Sequence, residues 1–174
     1  MFPRSRTSFL LLAVITTFLL SSCSTENPVS RGGYAVLKVN RNLLDNLGYE
    51  TFAVGDLKKE ADYQYMLRHS PLKQKGVRFH IKWKAPRRSG AIRLVLDVQG
   101  LNAANLTTRD TVTQNYPDMD GWAEWSTIDI TGKQFKQIGE IMAWRVTICS
   151  GDRVMAELPS ANWYSDIHSE PKAK

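Results

Sequence analysis

Two runs of strict apolar and polar alternation between Gly76 and Gly100 restrict this chain more than any other feature, because a helix cannot accommodate them. Val77, Phe79, Ile81, Trp83 and Ala85 alternate with Arg78, His80, Lys82 and Lys84. After Pro86 and the turn Arg87-Arg88-Ser89-Gly90, the residues Ile92, Leu94, Leu96 and Val98 repeat the pattern as far as Gly100. A period of two places one set of side chains on each face of an extended strand, so each run has one face to bury and one to wet. Their matched apolar faces and short connection predict an antiparallel pair.

The remaining segments read as further strands between turn residues. Tyr34 to Val39 and Tyr49 to Val54 suit strands, with a helical turn over Asn42 to Gly48 between them. Lys58 to Arg68 is ambiguous: Ala61, Tyr65 and Met66 would share a helix face, whereas Tyr63, Tyr65 and Leu67 suit a strand, which is the preferred reading. Leu101 to Thr108 reads as a polar loop, Asp110 to Tyr116 as a short strand, and Pro117 to Gly121 as a turn. Trp122 to Ile130 follows as a strand, and Thr131-Gly132-Lys133 as a turn. Ile141 to Cys149 then carries Met142, Trp144, Val146 and Ile148 on one face, and Ser150-Gly151-Asp152 turns the chain into Arg153 to Leu158. Many short strands at this spacing with little helix predict an all-β fold, an antiparallel β-sandwich.

The segment from Gly76 to Leu158 resembles the fibronectin type III and immunoglobulin-like domains. Phe79-x-Ile81-x-Trp83-x-x-Pro86 is similar to the second strand of a fibronectin type III domain, and Ile138, six residues before Trp144, is similar to the lead-in of its sixth strand. Trp144 stands where that family has Tyr. The stretch Tyr34 to Arg68 exceeds one leading strand, so extra N-terminal strands or an insertion are expected. The resemblance implies a scaffold and no particular activity.

The amino terminus reads as an address. Arg4 and Arg6 precede an apolar run from Phe9 to Leu20, which is short for a membrane-spanning helix and suits a signal peptide. Its end, Leu20-Ser21-Ser22-Cys23, resembles the lipobox of bacterial lipoproteins. That resemblance implies cleavage before Cys23, lipidation of Cys23 by acyl chains such as palmitate, and export to the cell envelope. Ser24 in place of Asp after the cysteine implies the outer membrane. One acyl chain holds a protein only marginally, at about 0.8 kcal/mol per buried methylene, whereas two or more hold it firmly. The expected organisation is therefore a signal peptide over 1–22, a lipidated flexible tether over 23–33, one sandwich domain over 34–164 and a disordered tail over 165–174.

Loss of Arg4 and Arg6 would take the net charge from 23 minus 17, or +6, to 21 minus 17, or +4. This excess is too mild to indicate nucleic acid. With Cys23 acylated, Cys149 has no partner for a disulfide, and packing must supply the stability.

Few residues offer chemistry. His69, His80 and His168 have no chelating spacing, and Asp118-x-Asp120-Gly121 lacks the later ligands of a calcium loop, so no metal and no cofactor is expected. The nucleophile, metalloprotease and phosphate-loop motifs are absent, and no catalytic residue is singled out. Arg78, His80, Lys82 and Lys84, with Arg87 and Arg88 beside them, form a basic patch. It suits either anionic envelope material or simply a solvated strand face that resists edge pairing. Aromatic side chains for stacking nucleotides do not interleave with it. Trp83 and Trp144 are expected in the core. Tyr116, Trp122, Trp125 and Trp163 are the candidates for an exposed platform that binds a sugar ring or a protein. The resulting expectation is a membrane-anchored, non-catalytic module that binds or assembles with an envelope protein. Binding of a polysaccharide or cell-wall polymer is the alternative, and an envelope hydrolase comes third.

Overall fold

The computed structural model describes residues 28–51, 54–117 and 123–163. The segments 1–22 and 165–174, Cys23, Trp122 and most of the Pro117 to Gly121 turn lie outside them. Among the described residues, eight strands and two α-helices follow one another as β1 (Val29–Ser30), β2 (Ala35–Asp45), α1 (Leu57–Arg68), β3 (Gln74–Lys84), β4 (Ile92–Leu101), β5 (Thr107–Tyr116), β6 (Glu124–Thr131), α2 (Gly132–Ile138), β7 (Glu140–Ser150) and β8 (Arg153–Pro159). A short 3-10 turn, Pro71–Lys73, precedes β3.

All pairings are antiparallel, in a three-stranded sheet β2-β3-β6 and a five-stranded sheet β1-β8-β7-β4-β5. The chain is an all-β sandwich. Setting β1 aside, the fourth of the remaining strands, β5, lies beside the third, β4. In a constant-type immunoglobulin domain the fourth strand would join the sheet of the first, second and fifth.

The two alternating runs become the sheet centres, but they do not pair. β3 hydrogen-bonds to β2 and β6, and β4 to β5 and β7. Pro86 and the turn after it carry the chain from one sheet to the other, so the matched apolar faces meet across the core. Phe79, Ile81 and Trp83 lie against that core from one side and Leu94, Leu96, Val146 and Ile148 from the other, all fully buried. Trp83 is the largest, and its indole Nε1 donates to Ser126 Oγ on β6 at 2.7 Å. Tyr116, at the end of β5, sets its ring edge-on to Trp83 with centroids 5.0 Å apart and joins its hydroxyl to the same Ser126 Oγ. One serine thus satisfies both aromatic polar atoms and ties the two sheets together.

Several local expectations are corrected. The strand from Tyr34 extends to Asp45, so Asn42 to Asp45 is not a helical turn, and Tyr49 to Val54 is not a strand among its described residues. Leu37 interrupts the alternation of β2 because the register slips between Val36 and Lys38. The segment Thr131 to Lys133 opens the helix α2, whose end places Ile138 in the core. Gly100 permits this, since a β-carbon there would collide with the Ile138 backbone and side chain. A register shift opposite Gln99 and Gly100 also turns Met142 outward, where it is 52% exposed, while Trp144 stays half-buried with its ring edge-on to Phe79. The tether is shorter than its sequence suggests, because Val29 and Ser30 already pair with Glu157 and Ala156 of β8.

The largest correction is α1, a helix where a strand was preferred. Asp56 caps it by accepting from the Lys59 backbone N–H at 3.1 Å, and the Glu60 carboxylate accepts from the Gly55 N–H. Its inward stripe is Glu60, Tyr63, Gln64 and Leu67, a helical spacing written mainly in polar residues, of which Leu67 alone is fully buried. Gln64 replaces a missing strand: its amide accepts from Leu43 N–H at 2.7 Å and donates to the carbonyls of Leu43 and Glu50. It satisfies part of the open edge of β2.

Gln64→Ala is expected to cost about 1–3 kcal/mol, because it strands half-buried backbone groups. Amide exchange should accelerate at Leu43 while Leu96 on β4 stays protected. Ser126→Ala should cost a similar amount by leaving the Trp83 indole N–H without its acceptor, read from the denaturant midpoint.

Candidate functional site

The outer face of the three-stranded sheet gathers most of the polar residues singled out in the sequence. The register aligns Lys38, Lys82 and Trp125 in one row, Asn40, His80 and Thr127 in the next, and Asn42, Arg78 and Asp129 in the third. Trp125 is 53% exposed, and the Lys82 ammonium lies over its ring, 5.7 Å from the centroid, a cation–π contact within the row. Arg78 grips Asp129 through two hydrogen bonds of 2.7 Å. His80 Nε2 and Asn42 Nδ2 both meet Glu50 Oε2, at 2.7 and 2.9 Å, which ties the loop after β2 onto the face.

The basic patch is therefore partly neutralised. Arg78 and His80 each have a carboxylate partner, and Lys82 is engaged with Trp125, while Lys84 lies beside Ala35 at the end of the same face. Arg87 and Arg88 stand in the connection between β3 and β4, off the sheet face.

The aromatic platform is dispersed as well. Tyr116 is turned inward against Trp83. Trp163 stacks on the guanidinium of Arg145, at 4.7 Å, across the outer surface of the five-stranded sheet, where Arg145 also binds Asp97. It is on the opposite side of the sandwich from Trp125, and Trp122 lies outside the described residues. Of the three described aromatics, Trp125 is the one that presents a ring to solvent on the three-stranded face.

A cleft at one end of the sandwich has no counterpart in the sequence reading. Beyond the end of the core where β3 begins, β2, α1, the 3-10 turn, α2 and the start of β7 enclose a cleft of about 750 Å³. Its apolar lining includes Leu43, Val77, Phe135 and Ile141, and Arg41, Arg68, Lys75 and Lys136 stand around it with Glu140. Arg41 Nη1 donates to the Ile141 carbonyl at 2.6 Å, reaching from one sheet to the other. These cations are spread over sequence positions 41 to 136, so no local motif announces them.

Two carboxylates are tuned by their surroundings. Burial alone would raise the Glu50 carboxyl, but hydrogen bonds from Asn42 and His80 and the charges of His80 and Arg78 outweigh it and hold the pKa below the ordinary 4.5. Asp45 behaves alike: desolvation opposes, while the Tyr63 hydroxyl and the backbone N–H groups of Tyr49, Leu47 and Gly48 prevail and lower it. The hydrogen bond to Asp45 in turn pushes the Tyr63 phenol up to about 12. Among the described residues there is no cluster of His, Cys, Asp and Glu that could hold a metal. Cys149 is a free, buried thiol on β7. No described helix is long and apolar enough to cross a membrane.

No family model matches the chain, and no curated protein matches it. Among solved structures it is similar to a crystal structure from Akkermansia muciniphila, with a TM-score of 0.49 and 11% identity over 81% of this chain and 75% of that one. A likeness at that distance assigns no activity.

Because the folded pKa of Glu50 is depressed, its contribution to stability is present above pH 4.5 and is lost as pH falls through the folded value. Glu50→Gln is therefore expected to lower the denaturant midpoint at pH 7 and to flatten the loss of stability on acidification. Equal pH dependence in the two proteins would show that the His80 and Asn42 contacts do not hold this loop.

Proposed function

We propose that this chain is a bacterial envelope lipoprotein, anchored through lipid on Cys23, whose sandwich is a non-catalytic module that docks an envelope protein. The observation that carries the docking reading is Trp125. An indole half exposed on an outer sheet face, in contact with Lys82 and with the His80–Glu50 and Arg78–Asp129 pairs in the two successive rows beside it, has the composition of an interface anchor with a polar margin. The anchoring reading rests on Leu20-Ser21-Ser22-Cys23 and on the short chain between Cys23 and β1. Five residues separate Cys23 from Val29, and the six extended steps between them span at most about 20 Å, which would keep the domain against the membrane that holds the lipid.

The polysaccharide reading is retained on the same ring, because Asn40, His80 and Thr127 in the adjacent row surround it with hydrogen-bonding groups of the kind that read sugar hydroxyls.

Metabolic labelling with a palmitate analogue should mark the full chain and fail to mark Cys23→Ala. In envelopes crosslinked in place, the full chain should give one reproducible protein adduct that Trp125→Ala loses. An adduct unchanged by Trp125→Ala would move docking off this face. Quenching of Trp fluorescence by purified cell-wall polymer, absent in Trp125→Ala, would select the polysaccharide reading.

A further inference from the structure

The cleft at the end of the core has the charge distribution of an anion site. Arg41 is directed into it from β2 and fixed at one nitrogen by the Ile141 carbonyl, and Arg68 of α1 lines the same space. Desolvation first, then the like charge of Arg68, lowers the Arg41 pKa, and Glu140 only partly offsets this. With Lys75 and Lys136, four cations line the cleft against one carboxylate, Glu140. All four side chains remain accessible to solvent, and their combined positive charge at one apolar space attracts an anion that enters it.

The rest of the cleft selects what else that anion carries. Leu43, Val77, Phe135 and Ile141 give an apolar lining, and Leu72 at the rim is 96% exposed. Two further exposed leucines, Leu47 and Leu106, sit in turns at the same end of the sandwich, after β2 and between β4 and β5. A volume of about 750 Å³ falls within the range of small-ligand sites. A bare inorganic anion would use only the cationic half.

The direction of the chain adds a second line. β8 runs from the Ser150 end of the sandwich toward the cleft end, and β1 is antiparallel to it, with Val29 opposite Glu157 and Ser30 opposite Ala156. β1 itself is thus entered from its cleft-facing end. Val29 stands in register with Glu157 and Thr147, and six extended steps of about 20 Å from there reach as far as the level of Ile141 at the cleft, so Cys23 can place a lipid within reach of it.

We propose that this cleft binds the phosphate headgroup of an anionic phospholipid of the membrane on which the protein sits, with Arg41 and Arg68 on the phosphate and the apolar lining against the glycerol and proximal acyl carbons. The orientation argument rests on the anchoring reading above; the charge and shape of the cleft do not.

Native mass spectrometry of the detergent-solubilised full chain tests this, with phosphatidylglycerol, phosphatidylcholine and inorganic phosphate as probes. The expected result is a phosphatidylglycerol adduct favoured about tenfold over phosphatidylcholine, reduced about tenfold in Arg68→Ala, as loss of a charge-assisted hydrogen bond implies, and reduced by a smaller factor in Lys136→Ala, as loss of one cleft charge implies. Arg41→Ala should match Arg68→Ala, and Arg68 and Lys136 keep the test intact should loss of the Arg41 strut disturb folding. Lys82→Ala, on the outer sheet face, should leave the adduct unchanged. Equal adducts with both lipids, or insensitivity to Arg68→Ala and Lys136→Ala, would overturn the proposal. Displacement of the lipid by inorganic phosphate at matched concentration would also overturn it, showing a simple anion site. Failure of palmitate labelling would remove the anchor and leave these outcomes unaffected.

Discussion

The burial of Trp83 organises this molecule. A strand that alternates as strictly as β3 must find an apolar surface for one face, and its largest side chain brings an indole N–H into a space from which water is excluded. Ser126 on the neighbouring strand supplies the acceptor, and Tyr116 from the other sheet closes over both. Sheet spacing, the position of β6 and the end of β5 are thereby linked at one buried point. Because that point joins the sheets, the polar side chains of β3 are left to the outer face, where they form the row that supports Trp125.

Edges impose the second constraint. β2 is the outermost strand of a small sheet and would expose unpaired backbone groups along its length. The long connection between β2 and β3 folds back as α1, and Gln64 gives Leu43 the donor and acceptor that a neighbouring strand would have given. Glu50 uses the same connection to reach His80. The cleft is a by-product of this arrangement. A helix that covers a strand edge does not fill the space at the mouth of the core, and the residues left facing it are the stems of long cations and the sides of apolar chains.

The sandwich thus has distinct surfaces. The outer face of the three-stranded sheet is flat, with paired charges around one ring, whereas the end where β3 begins is concave, cationic and rimmed with leucine. The outer face of the five-stranded sheet is occupied by its own contacts, with Arg145 held between Asp97, Glu157 and the ring of Trp163. This division follows from which strands face outward where.

What the sequence determined by itself is whatever depends on local periodicity. Alternation in Val77 to Ala85 and Ile92 to Val98 fixed strand identity, the buried faces and the sandwich class, because a period of two admits one backbone geometry. The tertiary structure alone decided the partners. Apolar faces that match can lie side by side or face to face, and only the packing of the whole chain put β3 and β4 in opposite sheets. It turned Met142 outward through a register shift, made a helix of Leu57 to Arg68 by packing a stripe of Glu60, Tyr63 and Gln64 that no apolar pattern reveals, and set Trp163 on the far side from Trp125. The cationic cleft was invisible for the same reason: Arg41, Arg68, Lys75 and Lys136 have no spacing in common, and they converge only because strand pairing and a helix at a sheet edge bring distant segments to one end of the core.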